Sequence, residues 1–149
     1  MSWSHEFWLG QARNYATQSK DPSTRVGCVI VRPDRSLAAA GVNGFPSGIA
    51  DTPERLNNRA VKRSLTIHAE LNALHRSLED LRGASLYATF CPCEICALHI
   101  IQRGIKFVYY PASFDNDRWL DSQAEALARF KEAGVIATAI DMPLEEVPS

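Results

Sequence analysis

The pairs Phe7/Trp8, Gln11/Ala12 and Tyr15/Ala16 recur at helical spacing on one side of the opening segment, and Ser4 stands where an N-cap belongs. The spacing predicts a helix over about residues 4–19, ended by Lys20-Asp21-Pro22-Ser23. The period then changes. An apolar run rich in β-branched residues over 26–32, the turn chemistry of Pro33-Asp34-Arg35-Ser36 and a second run over 37–42 predict a β-hairpin. Glycine and proline make 43–49 a loop, and Thr52-Pro53, an N-cap followed by proline at the first helical position, opens a short helix over about 53–63. A helix over about 68–78 carries Ala69, Ala73 and Leu74 on its buried stripe, and a strand over 84–90 follows Gly83. Then come a helix over 93–103 ending at Gly104, a strand over 105–110, a helix over 122–133 stopped by Gly134, and a strand over 135–140.

Strands separated by single helices ask for parallel neighbours with right-handed crossovers, while the opening hairpin adds an antiparallel edge. The expected fold is therefore α/β, three-layered, with a mixed five-stranded sheet flanked by helices on both faces. At 149 residues the chain has room for one domain, 1–149, burying roughly 68–70% of its unfolded surface, and neither repeats nor a linker divide it. With 16 basic against 17 acidic residues the formal charge is −1, which argues against nucleic-acid binding driven mainly by phosphate neutralisation. No run approaches the ~18–20 apolar residues of a membrane span, and residues 1–6 lack a basic stretch followed by an apolar one. A cytoplasmic, reducing location is expected, where clustered cysteines hold metal or do chemistry.

Of the four cysteines, Cys28 stands alone while Cys91, Cys93 and Cys96 fall together. His68-Ala69-Glu70 opens one expected helix and Pro92-Cys93-Glu94-Ile95-Cys96 opens the next. A C-x-x-C turn at a helix start lets two sulfurs face one point, and the free N–H groups and positive dipole end favour the thiolates a metal needs. One nitrogen and two sulfur ligands describe a catalytic zinc whose fourth position is open to water. Two thiolates and a neutral imidazole make the centre net neutral, so bound water ionises with a pKa on the order of 7. Glu70 lies two residues from His68, about 200° away on an ideal helix, so His68 must occupy an irregular first turn for both to reach one site. The carboxylate would shuttle protons, work that contributes about 10²–10⁴ in rate. Taken alone, C-x-x-C reads equally as a redox pair or a structural zinc half-site. With His68, Glu70 and Pro92 at their spacing, the pattern is the zinc deaminase signature H-x-E…P-C-x-x-C. Its register selects Cys93 and Cys96, leaving Cys91 as a strand-end thiol and Cys28 as a core residue.

Further stretches, Ser19-Lys20-Asp21-Pro22-Ser23-Thr24-Arg25-Val26-Gly27, Gly41-Val42-Asn43-Gly44-Phe45-Pro46, Asp51-Thr52-Pro53-Glu54-Arg55 and Ile67-His68-Ala69-Glu70-Leu71-Asn72-Ala73, closely resemble deoxycytidylate deaminases over about residues 5–140, as does the run from Cys96 to Lys106. The resemblance implies a cytidine-deaminase-like fold and zinc-dependent hydrolysis of dCMP to dUMP and ammonia in pyrimidine deoxynucleotide synthesis. It implies zinc on His68, Cys93 and Cys96, one ion per chain, with Glu70 as the catalytic proton shuttle. Asn43 would bond the sugar and the backbone at Ala69 would meet the base. A nucleoside monophosphate also needs a phosphate pocket, for which the 20–25 loop offers the hydroxyls of Ser23 and Thr24 and the cation of Arg25, which read alone is a solvated charge at a strand start. Phe114 reads equally as packing on base or sugar and as core or interface packing. The resemblance further implies a homohexamer activated by dCTP and inhibited by dTTP, with Mg²⁺ accompanying these effectors. Here the effector loop reads Gly41-Val42-Asn43-Gly44, with valine in place of the family's tyrosine. Over 51–63 four cations, Arg55, Arg59, Lys62 and Arg63, face two carboxylates, Asp51 and Glu54, a local charge of +2. A solvated helix face explains most such runs; adjacency to Gly44 and Phe45 makes Arg55, Arg59 and Lys62 the effector-site candidates. Two other readings share the motif: a tRNA adenosine or other nucleobase deaminase, whose expected basic surface the composition lacks, and a non-catalytic zinc-stabilised binding module, which would have no use for Glu70.

Overall fold

The computed structural model describes residues 3–112 and 119–142. Helix α1 (His5–Ala16) starts where Ser4 Oγ accepts the Phe7 N–H at 3.0 Å, and it stops three residues short of the expected end, at Thr17. Strands β1 (Gly27–Val31) and β2 (Leu37–Val42) form the expected hairpin, with Arg35 in the left-handed region at its turn (φ 72°).

The single helix expected over 53–63 is two: α2 (Pro53–Leu56) and α3 (Arg59–Leu65). The break falls at Asn58, whose side chain accepts the Val61 N–H and so caps a new helix instead of continuing the old one. There follow α4 (Ala69–Arg76), β3 (Ser85–Ala88), α5 (Glu94–Gln102), β4 (Phe107–Pro111), α6 (Leu120–Ala133) and β5 (Ile136–Ile140).

The sheet runs β2-β1-β3-β4-β5, with β1 antiparallel to both neighbours and β3, β4 and β5 parallel. It is the mixed five-stranded sheet expected. The chain leaving β2 passes back across β1 through α4, which lays β3 on β1's free edge. Alternate residues of β1 then serve opposite layers. Cys28 and Ile30 join Leu86, Ala88 and Val108 under α4, α5 and α6, while Val29 and Val31 join Tyr87 under Trp8, Leu9 and Ala12 of α1. Because every residue of β1 is buried, its sequence carries no alternation to say which face meets which helix. No helix among the described residues is long and apolar enough to cross a membrane.

Candidate active site

The site forms where β1 begins and β2 and β3 end. Thr89, just past β3, accepts the Gly27 N–H on its hydroxyl and gives its own N–H to the Gly27 carbonyl, both at 3.1 Å. On the other side Gly44 and Ile67 exchange backbone bonds at 3.1 and 2.8 Å, which pins the residue before His68 to the loop leaving β2. Asn72 of α4 adds a bond from its Nδ2 to the Val42 carbonyl at 2.7 Å. The start of α4 and the end of β3, from which the chain leads into α5, are thereby both tied to the β1–β2 hairpin.

His68 is the N-cap of α4, with extended backbone (φ −64°, ψ 152°), so its imidazole is free of the helical phase that would separate it from Glu70. Cys93 is likewise the N-cap of α5, and its sulfur accepts the Cys96 N–H at 3.4 Å. His68 Nδ1 lies 3.2 Å from Cys96 Sγ and 3.6 Å from Cys93 Sγ, and the three ligand atoms all fall within 4.8 Å of one another. A neutral nitrogen and two sulfurs converging on one point are the donor set of a catalytic zinc, so the residues fit the ion. A hydrogen bond from Cys96, joined by one from His68, brings the Cys93 thiol down to about 3 against the effect of burial. Donating that bond pushes the Cys96 thiol up.

Glu70 is 5% exposed in the first turn of α4. Burial drives its carboxyl pKa up, opposed by the charge of His68 and a hydrogen bond from Cys96. That shift moves it toward the range a proton shuttle needs. Cys91, outside the triad, is half-buried on the cavity wall, its thiol pushed up to about 12 chiefly by burial. Cys28 is fully buried in the core.

His68, Cys93 and Glu70 open on a cavity of about 880 Å³, while Cys96 is buried and off its wall. Of the residues the sequence singles out, Ser23, Thr24, Asn43 and Ala69 line it, whereas Arg25 is not on its wall. Asn43 is buried and already engaged: its Oδ1 accepts the Val26 N–H at 2.8 Å and its Nδ2 donates to the Thr24 carbonyl at 2.9 Å. It shapes the 21–26 loop, keeping one lone pair on Oδ1 for a further donor. Phe114 lies outside the described residues.

The effector candidates separate. Gly44 and Phe45 line a second cavity of about 160 Å³ that shares Asp21 and Asn43 with the first. Arg55, which donates to the Ala50 carbonyl at 3.0 Å, lines neither. Arg59, Lys62 and Arg63 are on the wall of the large cavity, beside His68 and Glu70. Lys62 Nζ is spent on Asp21 (2.9 Å) and Ser23 (2.7 Å), an ion pair whose side chains are each 11% exposed. Sequence reasoning missed the structural use of Asp21 and the contribution of α6, where Trp119, Ser122 and Gln123 complete the wall. Ser122 Oγ accepts the Glu94 N–H at 3.4 Å and Arg129 donates to the Glu94 carbonyl at 2.6 Å, bracing the start of α5. The helix is legible in the sequence, but nothing near residue 120 forms a motif, so its place on the cavity wall is settled only in space.

A mixed α/β sheet presenting a His/Cys/Cys triad beside a buried carboxylate defines a zinc-site enzyme of the deaminase class. The family model described as the cytidine and deoxycytidylate deaminase zinc-binding region matches residues 1–112. The chain belongs to the cytidine and deoxycytidylate deaminase family. It is 35% identical to the uncharacterized deaminase in the luxG 3′ region of Aliivibrio fischeri, with 95% of this chain and 96% of that one covered. It is 39% identical to the deoxycytidylate deaminase of Mus musculus over 87% of this chain and 75% of the relative. Among solved structures, the dCMP deaminase of cyanophage S-TIM5 in complex with dCMP and dUMP superposes with a TM-score of 0.73 at 27% identity, covering 91% of this chain and 95% of the other.

Proposed function

We propose that this chain hydrolyses dCMP to dUMP and ammonia, with one zinc ion per chain held by His68, Cys93 and Cys96. The observation that carries the reading is the buried Glu70 carboxylate beside the triad at the floor of a nucleotide-sized cavity, on a chain 39% identical to a named deoxycytidylate deaminase. Bound there, zinc supplies Lewis acidity and lets water ionise near neutral pH. Glu70 accepts a proton from the water that adds to C4 of the cytosine and delivers it first to the ring nitrogen. A second proton passes by the same carboxylate to the departing amine, so water is consumed and ammonia released. The backbone at Ala69 meets the base, and Asn43 accepts a sugar hydroxyl on its remaining lone pair. The Ser23 hydroxyl, whose oxygen accepts from Lys62, keeps its own hydrogen for a phosphate oxygen, as does Thr24. Glu70→Gln should lower kcat on dCMP by about 10²–10⁴ while zinc content stays at wild-type level. Full ammonia release by that variant would reject the role of Glu70.

The same reading extends to regulation. The chain acts as a cytoplasmic homohexamer, activated by dCTP and inhibited by dTTP with Mg²⁺. What supports this is the resemblance of the Gly41–Gly44 loop and the way the small cavity at Gly44 and Phe45 shares Asp21 and Asn43 with the catalytic one. dCMP saturation curves recorded with and without each triphosphate test it. Curves that neither triphosphate moves would reject it.

A further inference from the structure

Arg59 and Arg63 stand one turn apart on α3, both exposed and both on the wall of the cavity that holds His68 and Glu70. Among the described residues neither guanidinium has a hydrogen-bond or ion-pair partner. The nearby acid is not available to them: Asp21 Oδ1 already accepts from Lys62 Nζ and from the Ser23 and Thr24 N–H groups. Lys62 and Asp21 cancel, α3 has no acidic residue in its first turn, and Glu70 lies at the metal triad. Among the described residues, two positive charges are therefore left on the wall of an open cavity with no acidic side chain paired to them.

We propose that Arg59 and Arg63 together bind the 5′-phosphate of the substrate and set the preference for a nucleoside monophosphate over the free nucleoside. The proposal rests on the deaminase reading above and moves the phosphate cation from Arg25, off the cavity wall, to α3. Guanidinium forks match phosphate oxygens in pairs, and a side chain fixed at only one end of a helical turn adapts to a ligand arriving from the cavity. Lys62 does not share the task, because its ammonium is committed to holding the 21–24 loop in place.

The test is ammonia release from dCMP and from deoxycytidine, measured on the zinc-loaded wild type and on Arg59→Ala, Arg63→Ala, the double alanine variant, the double lysine variant and Arg25→Ala. Arg82→Ala, whose guanidinium is bonded to Asp80 outside both cavities, controls for loss of charge. Each single alanine variant should lower the kcat/KM preference for dCMP about tenfold and the double about 100-fold, through KM, with kcat on dCMP within about twofold of wild type. The double lysine variant, which keeps charge and helix but not the forks, should retain an intermediate preference and the wild-type melting temperature. Arg82→Ala should leave the preference unchanged. A double alanine variant with wild-type preference overturns the proposal, as does an equal fall on both substrates or a collapse produced by Arg25→Ala alone. A wild type equally active on nucleotide and nucleoside overturns the monophosphate reading and this proposal with it, whereas a preference that survives the α3 variants overturns the proposal only.

Discussion

Lys62 and His5 show how much at the level of single residues depends on partners distant in the chain. In Lys62→Met the Asp21 carboxylate is left nearly buried without its cation, which should cost about 3 kcal/mol of stability, read from the denaturation midpoint. On the opposite face of the sheet, His5 Nδ1 lies 2.7 Å from the Tyr87 hydroxyl and its ring stacks on Tyr109 with centroids 4.1 Å apart. Burial, and after it the positive charge of Arg35, hold the His5 pKa below its ordinary 6.5. The unfolded chain then binds the proton more readily, so the stability His5 contributes is present above pH 6.5 and lost as pH falls through its folded value. Denaturation midpoints followed from about pH 7.5 to about pH 5 should fall in wild type and slope less in His5→Gln. A parallel slope in the variant would assign the loss to other groups.

Among the elements, α4 carries both His68 and Glu70, and its seat is set by the absence of a side chain. A Cβ on Gly41 of β2 would overlap the Ala73 backbone nitrogen and come within 2.6 Å of the Ala69 carbonyl oxygen. Gly41→Ala must push α4 off the sheet. It should destabilise the fold by about 2–3 kcal/mol and weaken zinc binding as well, because His68 moves with the helix while Cys93 and Cys96 stay on α5. Calorimetry and metal titration check the two effects separately, and a variant that loses stability with unchanged zinc affinity would show that the Gly44–Ile67 and Asn72–Val42 bonds hold the helix start without the close approach at Gly41. The neighbouring segment shows where element-level reading from sequence stops. Thr52-Pro53 marks a helix start in one dimension, but Asn58 acts as a second cap, and only the capped α3 turns Arg59 and Arg63 toward the cavity.

For the whole molecule, the candidate zinc ligands come from the starts of two helices, α4 and α5, that are separate in the chain and packed in one layer, so metal binding and fold should be thermodynamically linked. Chelation should lower the melting temperature, and one equivalent of zinc per chain should restore it. An ion present at about a thousand times its dissociation constant stabilises by about 4 kcal/mol. An unchanged melting temperature in chelator, with metal analysis confirming removal, would contradict the linkage. The fold was largely legible in advance because its signals are short-ranged: Ser4, Thr52 and Gly134 punctuate helices, and the runs at 27–31 and 37–42 need only their own residues to read as strands. The two largest departures, the end of α1 at Ala16 and the break at Asn58, were decided by local capping that competes with propensity.

The amino-acid sequence by itself determined the types and order of the elements and the identity of the His68, Glu70, Cys93 and Cys96 set, since ligand spacing and helix starts are written within a few residues. Tertiary structure alone decided which cations share a cavity with that set. The run Arg55, Arg59, Lys62 and Arg63 looks uniform in one dimension, yet folding sends the first to a backbone carbonyl, the third to Asp21, and leaves the second and fourth on the wall of the cavity that His68 and Glu70 line. The wall supplied by α6 and the engagement of Asn43 with the 21–26 loop belong to the same class. Each depends on segments separated by tens of residues meeting across the sheet, and no local pattern of charge or hydropathy encodes such a meeting.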